Sequence, residues 1–269
     1  MQARAEREQP GDAWRLLDAR STAAVAIPLV AIGLLGWYLT VRQSHDMSGM
    51  MTGLGQVGTH MPNTTASPGF MVMWFVMMAA MMLPAIGPVL LAQRIVVRAR
   101  GEGPLTSVAF VASYLTVWLL MGLVPLLAFL AFRDLPIEAQ YSPWLRNVAG
   151  AVLVVAGVYQ LTPLKGTCLR VCRSPLSFVQ TQNATGARGA LRAGASYGAY
   201  CVGSCWALMM VLLVVGLMNL IWMAAIALIF LAEKNWRYGT LLTRLAGAGL
   251  AALGLAVAAV PPLLSAISG

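Results

Sequence analysis

Residues 193–232 run for 40 positions without one charged side chain. As a single helix this stretch would be about 60 Å long, roughly twice the hydrocarbon thickness of a bilayer. It must therefore break into two helices, and Gly216 to Asn219 is the expected turn. The remainder of the chain has the same character. Of 269 residues, 59% are hydrophobic and 10% charged, against about 25% charged in soluble domains. Such a chain has too little polar surface to cover a water-exposed core, so lipid is the expected solvent. The net charge of +9 does not point to nucleic acid, because the basic residues are spread thinly between apolar runs and form no stripe.

A spanning helix needs about 20 mostly apolar residues. On that basis spans are expected near 22–41, 69–92, 105–132, 145–163, 193–215, 218–233 and 245–266. The expected fold is an all-α polytopic transmembrane bundle of about seven spans. Residues 1–21 form a cytoplasmic tail and 22–266 a single transmembrane domain. The first span does not read as a cleavable signal peptide, because a polar segment of 21 residues precedes it and no A-x-A-like site follows. With the N-terminus inside, the inner segments hold Arg4, Arg7, Arg15, Arg20, Arg94, Arg98, Arg100, Lys165, Arg170, Arg173, Arg188, Arg192, Lys234, Arg237 and Arg244. The outer segments hold Arg42, Arg133 and Arg146. This 15 to 3 split satisfies the positive-inside rule. The outer loop 42–68 and the inner loop 164–192 are too small to bury cores of their own.

No ionisable residue is expected deep in a span. Glu233 and Lys234 fall at the inner end of the sixth, where they read either as an interfacial ion pair or as a brace for the inner loop that carries Cys168 and Cys172. A proton-driven pump needs buried ionisable groups, and haem needs axial ligands within the bundle, whereas His45 and His60 lie in the outer loop. There is no phosphate-binding loop for ATP and no Ser/His/Asp set within a span, so an enzyme is not the expected reading.

The distinctive chemistry is sulfur. Met71, Met73, Met77, Met78, Met81 and Met82 fall within twelve residues of the second span. At helical spacing Met73, Met77 and Met81 form one stripe, and Met71, Met78 and Met82 an adjacent one. Met47, Met50, Met51 and Met61 share the outer loop with the two histidines. Thioethers and thiolates are soft ligands suited to Cu(I), although a methionine stripe also fills apolar cores. The four cysteines come as two i, i+4 pairs, Cys168/Cys172 in C-L-R-V-C and Cys201/Cys205 in C-V-G-S-C. Met209 continues the face of the second pair. Two such pairs are able to build a four-sulfur site, though C-x3-C is not the usual zinc spacing.

Depth relates the two sets. Met77 to Met82 are expected about 12–20 Å below the outer surface, and Cys201 and Cys205 about 12–18 Å above the inner one. In a core of about 30 Å both occupy one central layer. If the second and fifth spans touch, they form a Met/Cys site there. Elsewhere, Gly194 and Gly198 are spaced for close helix packing, and Pro84 and Pro88 are expected to kink or end the second span.

The segments W-F-V-M-M-A-A-M-M-L-P (74–84), Y-Q-L-T-P-L-K-G-T-C-L-R-V-C-R-S-P (159–175) and C-V-G-S-C-W-A-L-M (201–209) resemble the predicted metal-binding integral membrane proteins, as do G-L-M-N-L-I-W-M-A (216–224) and A-E-K (232–234). The resemblance covers roughly 70–265. It implies a polytopic protein of the bacterial inner membrane, similar to copper chaperones that supply exported copper oxidases. Carried over by motif, the implied ligands are the methionine run with Cys168, Cys172, Cys201 and Cys205. Ser204 stands where family members often carry a further cysteine, so a role for an adjacent thiol does not transfer.

The expected function is that of a membrane Cu(I) chaperone or passive metal conduit. Metal would be held by Met73, Met77, Met78, Met81, Met82, Met209 and the four cysteines. Its partners would be the lipid bilayer and a copper-dependent oxidase or periplasmic copper carrier. Two other readings stay open: a membrane thiol–disulfide oxidoreductase using a quinone, and an assembly subunit whose sulfurs merely pack.

Overall fold

The computed structural model describes residues 19–46, 66–132, 143–182, 185–216, 219–260 and 263, and among them there is no strand. The helices are α1 (Ala19–Asp46), α2 (Ala66–Met82), α3 (Gly87–Ala99), α4 (Pro104–Met121), α5 (Leu123–Phe132), α6 (Pro143–Gln160), α7 (Pro163–Arg173), α8 (Pro175–Thr181), α9 (Gly186–Val215), α10 (Leu220–Asn235) and α11 (Gly239–Ala259). Four helical stretches are long and apolar enough to cross a membrane, or up to six if each of two bent pairs counts as one. Their outward faces are as apolar as the interior. Ile27, Leu34, Leu105, Ile221, Leu228 and Leu255 each expose roughly two thirds or more of their surface, as in helices that are hydrophobic all round.

The expected second span, 69–92, is a bent pair. Helix α2 ends at Met82, a 3-10 turn covers Pro84–Ile86, and α3 departs at 41°. Proline lacks the N–H that would continue the ladder, which makes Pro84 the cause of the break. The break between α9 and α10 falls at the expected turn. Gly216 takes φ 112°, a left-handed value that favours glycine, and Asn219 Oδ1 accepts from the Trp222 N–H to cap α10. Helix α10 has 16 residues, about 24 Å of rise, and is not among the stretches long enough to cross. Helix α11 starts at Gly239, six residues before the expected 245.

The segment read as an inner loop, 164–192, is instead mostly helical. Thr162 caps α7 by accepting from the Lys165 N–H at 3.4 Å, and Pro163 sits in the first turn, where its missing donor costs nothing. Pro175 disfavours helical geometry at Ser174, so α7 stops there and α8 begins. Helices α6 and α7 meet at 60°. C-L-R-V-C thus lies on a helix, and α9 starts at Gly186, seven residues before the expected 193.

Helix α9 is the axis of the bundle: 61% of its apolar stretch is buried, against 17–28% for α1, the α4–α5 span and α11. It packs lengthwise on α4, where Cβ atoms at Gly194 and Gly198 would come within 2.1 Å of Ser113 Oγ and 3.0 Å of Val117 Cβ. These two glycines therefore act as the close-packing positions expected of them. Helices α6 and α11 meet in the same way through Gly150, Gly157, Gly247 and Gly254. At the periphery, α1 docks on α2 where Gly36 faces Ala80. Helices α2 and α9 do not pack lengthwise on each other; α4 and α10 lie against both. His45 falls in the last turn of α1 rather than in a loop. His60, Met47, Met50, Met51, Met61 and the tail 1–18 lie outside the described residues.

Candidate metal centre

The two cysteine pairs, 29 residues apart at their nearest members, come together where α7 crosses α9. On α9, Cys201, Ser204 and Cys205 are all buried, and Cys172 is buried on α7. Ser204 is the hub. Its hydroxyl donates to the Cys201 carbonyl at 2.8 Å. With that hydrogen committed, its oxygen is left to accept from thiols, and Cys205 Sγ lies at 3.3 Å and Cys172 Sγ at 3.9 Å. All four cysteines are free thiols.

Cys201 has two further partners. Lys234 Nζ, from the end of α10, donates to Cys201 Sγ at 2.8 Å. The Tyr114 hydroxyl, from α4, lies 3.3 Å from the same sulfur. Tyr197 donates to the Cys172 carbonyl at 3.5 Å and its ring centroid is 6.0 Å from that of Tyr114.

Cys168 differs from the other three in being only half-buried. Its sulfur rests against Gly203, where a Cβ would sit 2.7 Å from Sγ, so the glycine makes its seat. Tyr159 donates to the Gly203 carbonyl and its ring meets Trp206 edge to face at 4.7 Å, holding α6 to this stretch of α9.

Glu233 and Lys234 do not form the interfacial pair read from their adjacency. In a helix, neighbouring residues point about 100° apart and do not face each other. Glu233 instead receives Lys165 Nζ on both carboxylate oxygens at 2.9 Å, with both side chains essentially buried. Lys165 also donates to Gln160 Oε1. Arg173, at the other end of α7, donates to the Glu233 carbonyl at 3.1 Å and the Trp236 carbonyl at 2.9 Å. One end of α10 thus grips α7 at both of its ends while sending Lys234 to Cys201.

Met73, Met77, Met78, Met81 and Met82 are all buried in the core, as is Met209, one turn beyond Cys205. The methionine helix is held by Trp74, whose indole N–H donates to the Trp118 carbonyl at 2.9 Å. Gly122 leaves room for that ring, since a Cβ there would approach it to 2.5 Å. The methionine helix α2 packs on α1, α4 and α10 and does not run lengthwise along the cysteine helix α9. Among the described residues no three His, Cys, Asp or Glu side chains are spaced as a ready-made metal cage. Such cages suit ions that take many ligands; Cu(I) is satisfied by few soft ones.

The sequence gives Glu233 and Lys234 a part in steadying the segment of Cys168 and Cys172 but no role in this cluster to Tyr114, Tyr197, Lys165 or Ser204. The available signals were two charges closing an apolar run at 233–234 and a serine set between two cysteines. Neither identifies a partner without the crossing of α7, α9 and α10.

The chain matches the family described as PpoB2, copper chaperone, over residues 71–257. That region contains all four cysteines, the whole methionine run, Lys165, Glu233 and Lys234. No curated protein and no solved structure matches the chain. A match over more than half of the sequence, centred on the elements that build the thiol cluster, shows that this chain belongs to the PpoB2 copper chaperone family.

Proposed function

We propose that this chain is a membrane-embedded Cu(I) chaperone whose cargo rests on the thiols gathered at the α7–α9 crossing. The observation that carries the reading is that the Cys172 and Cys205 sulfurs meet at the Ser204 hydroxyl, which also holds the Cys201 carbonyl, with Cys168 at the rim. Soft thiolates bind Cu(I) well, and a thiol that coordinates the metal loses its proton to solvent or a nearby base as the metal–sulfur bond forms. Transfer proceeds by ligand exchange: one thiolate binds as another lets go, and copper stays monovalent throughout. No electron source or ATP is required. Cys168, the most exposed of the four, exchanges copper with its partners; the buried thiols behind it retain the ion.

The same proposal places the bundle in a bacterial inner membrane with about seven crossings and the N-terminus in the cytoplasm. The 15 to 3 distribution of Lys and Arg supports it, with α10 as a short crossing. The thiol cluster then lies toward the cytoplasmic side. The methionine stripe, with Met209, forms a thioether-lined stretch leading outward, and a copper-dependent oxidase or periplasmic carrier is the client.

The test is copper analysis of the full chain, purified anaerobically in detergent and loaded with Cu(I). The wild type is expected to retain copper against a soluble Cu(I) chelator, and Cys201→Ser/Cys205→Ser to lose it. Equal retention by both proteins, with thiols that cycle with a quinone, would instead establish the oxidoreductase.

A further inference from the structure

Among the described residues, Lys234 is a buried cation with no carboxylate in ion-pair contact. It is 6% exposed, and Glu233 beside it is committed to Lys165. Among the described residues, the hydrogen-bond partner of its ammonium is a sulfur, Cys201 Sγ at 2.8 Å. A buried charge is strongly destabilising unless paired, so a lysine kept here needs a reason. A neutral side chain would fill the space without that cost.

Resting on the reading of the thiol cluster as the copper site, we infer that Lys234 is a specificity-determining residue that biases this site toward a monovalent ion. A fixed positive charge beside a metal position repels a divalent ion twice as strongly as a monovalent one, since the Coulomb energy scales with the product of charges. It also compensates the thiolates. Cu(I) on two thiolates carries one net negative charge, which the ammonium neutralises, so the loaded site is electrically balanced in a low-dielectric surrounding. Zn(II) on the same two thiolates is already neutral and would leave the ammonium unbalanced. If Cys172 joins as a third thiolate, the absolute balance changes but the direction does not. In either case, removing the ammonium favours the divalent ion relative to the monovalent one. Lys234 is well placed to persist in this role, because the Lys165–Glu233 pair and the two Arg173 hydrogen bonds hold the end of α10 in position.

The experiment compares the wild-type full chain with Lys234→Leu, Lys234→Gln and Lys234→Arg. The relative affinity for Cu(I) and Zn(II) is measured by chelator competition on each folded preparation. Lys234→Leu removes the charge without adding a metal ligand. Lys234→Gln also removes it but keeps an N–H donor for Cys201, which separates charge from hydrogen bonding and serves if the leucine variant does not fold. Both uncharged variants are expected to lower the Cu(I) to Zn(II) preference by about tenfold or more, and Lys234→Arg to retain it. A merely structural lysine would weaken both ions together and leave the ratio alone. An unchanged ratio in folded Lys234→Leu or Lys234→Gln overturns the inference while leaving the copper site standing. A wild type that takes up no Cu(I) overturns the thiol-site reading itself.

Discussion

Lys165 Nζ lies 2.9 Å from both carboxylate oxygens of Glu233, and the pair joins the start of α7 to the end of α10 across 68 residues of sequence. Both side chains are buried, so neither charge has water to fall back on if its partner is lost. Glu233→Ala is expected to destabilise the protein by about 3–5 kcal/mol, read as a lowered unfolding temperature in detergent. Replacing both residues together, as Lys165→Met/Glu233→Leu, is expected to cost far less, because no uncompensated charge remains. Equal losses in the single and double variants would contradict the pairing.

Alkylation should distinguish the cysteines. Cys168 is half-buried and the other three are buried, so brief treatment of the native protein with a maleimide is expected to label Cys168 alone. All four should react after unfolding. Labelling of Cys201 in the folded protein at a rate near that of Cys168 would show that the cluster is open to solvent, against the structure.

Gly203 tests the seat of Cys168. A methyl group there would lie 2.7 Å from the sulfur, and overpacking of this kind typically costs about 1–3 kcal/mol. Gly203→Ala is therefore expected to lower the unfolding temperature and to raise the alkylation rate of Cys168. Adding Cys168→Ala should recover most of the stability, since the clash involves that sulfur. No recovery would place the strain elsewhere.

The two sulfur sets should separate by substitution. Met77→Leu/Met81→Leu nearly conserves volume and is expected to cost less than about 1.5 kcal/mol per site. Copper already held at the thiols should stay, while loading slows if thioethers lead copper to them. Cys172→Ser should instead reduce retention nearly as much as Cys201→Ser. The measurement is copper content against time under chelator challenge, and identical curves for the methionine and cysteine variants would remove the distinction.

Much of the architecture was legible without coordinates because apolar runs and helix breakers act locally. Pro84 ends α2 by lacking an N–H, and Gly216 permits the left-handed turn that separates α9 from α10; both effects belong to the residue itself. The segment 164–192 was misread as a loop because its charges hid a short helix begun by Thr162 and Pro163. The sulfurs were recognisable as a resource in the same way, since i, i+4 spacing puts Cys201 and Cys205 on one face wherever the helix lies.

The sequence by itself determined an all-helical, apolar chain with two matched cysteine pairs and a methionine helix. These follow from side-chain type and periodicity. Tertiary structure alone decided which of these meet. Depth along a helix says nothing about its neighbour, and so the methionine helix lies mainly against α1 and also touches α4 and α10, while Cys172, from a helix that was not expected, reaches Ser204 on α9. Charge pairing was decided in the same way: Glu233 and Lys234 are adjacent in the chain but turned apart, one to Lys165 and the other to Cys201. In a low-dielectric interior a charge must find the partner that the packing brings to it, and that partner is named only by the crossing of helices.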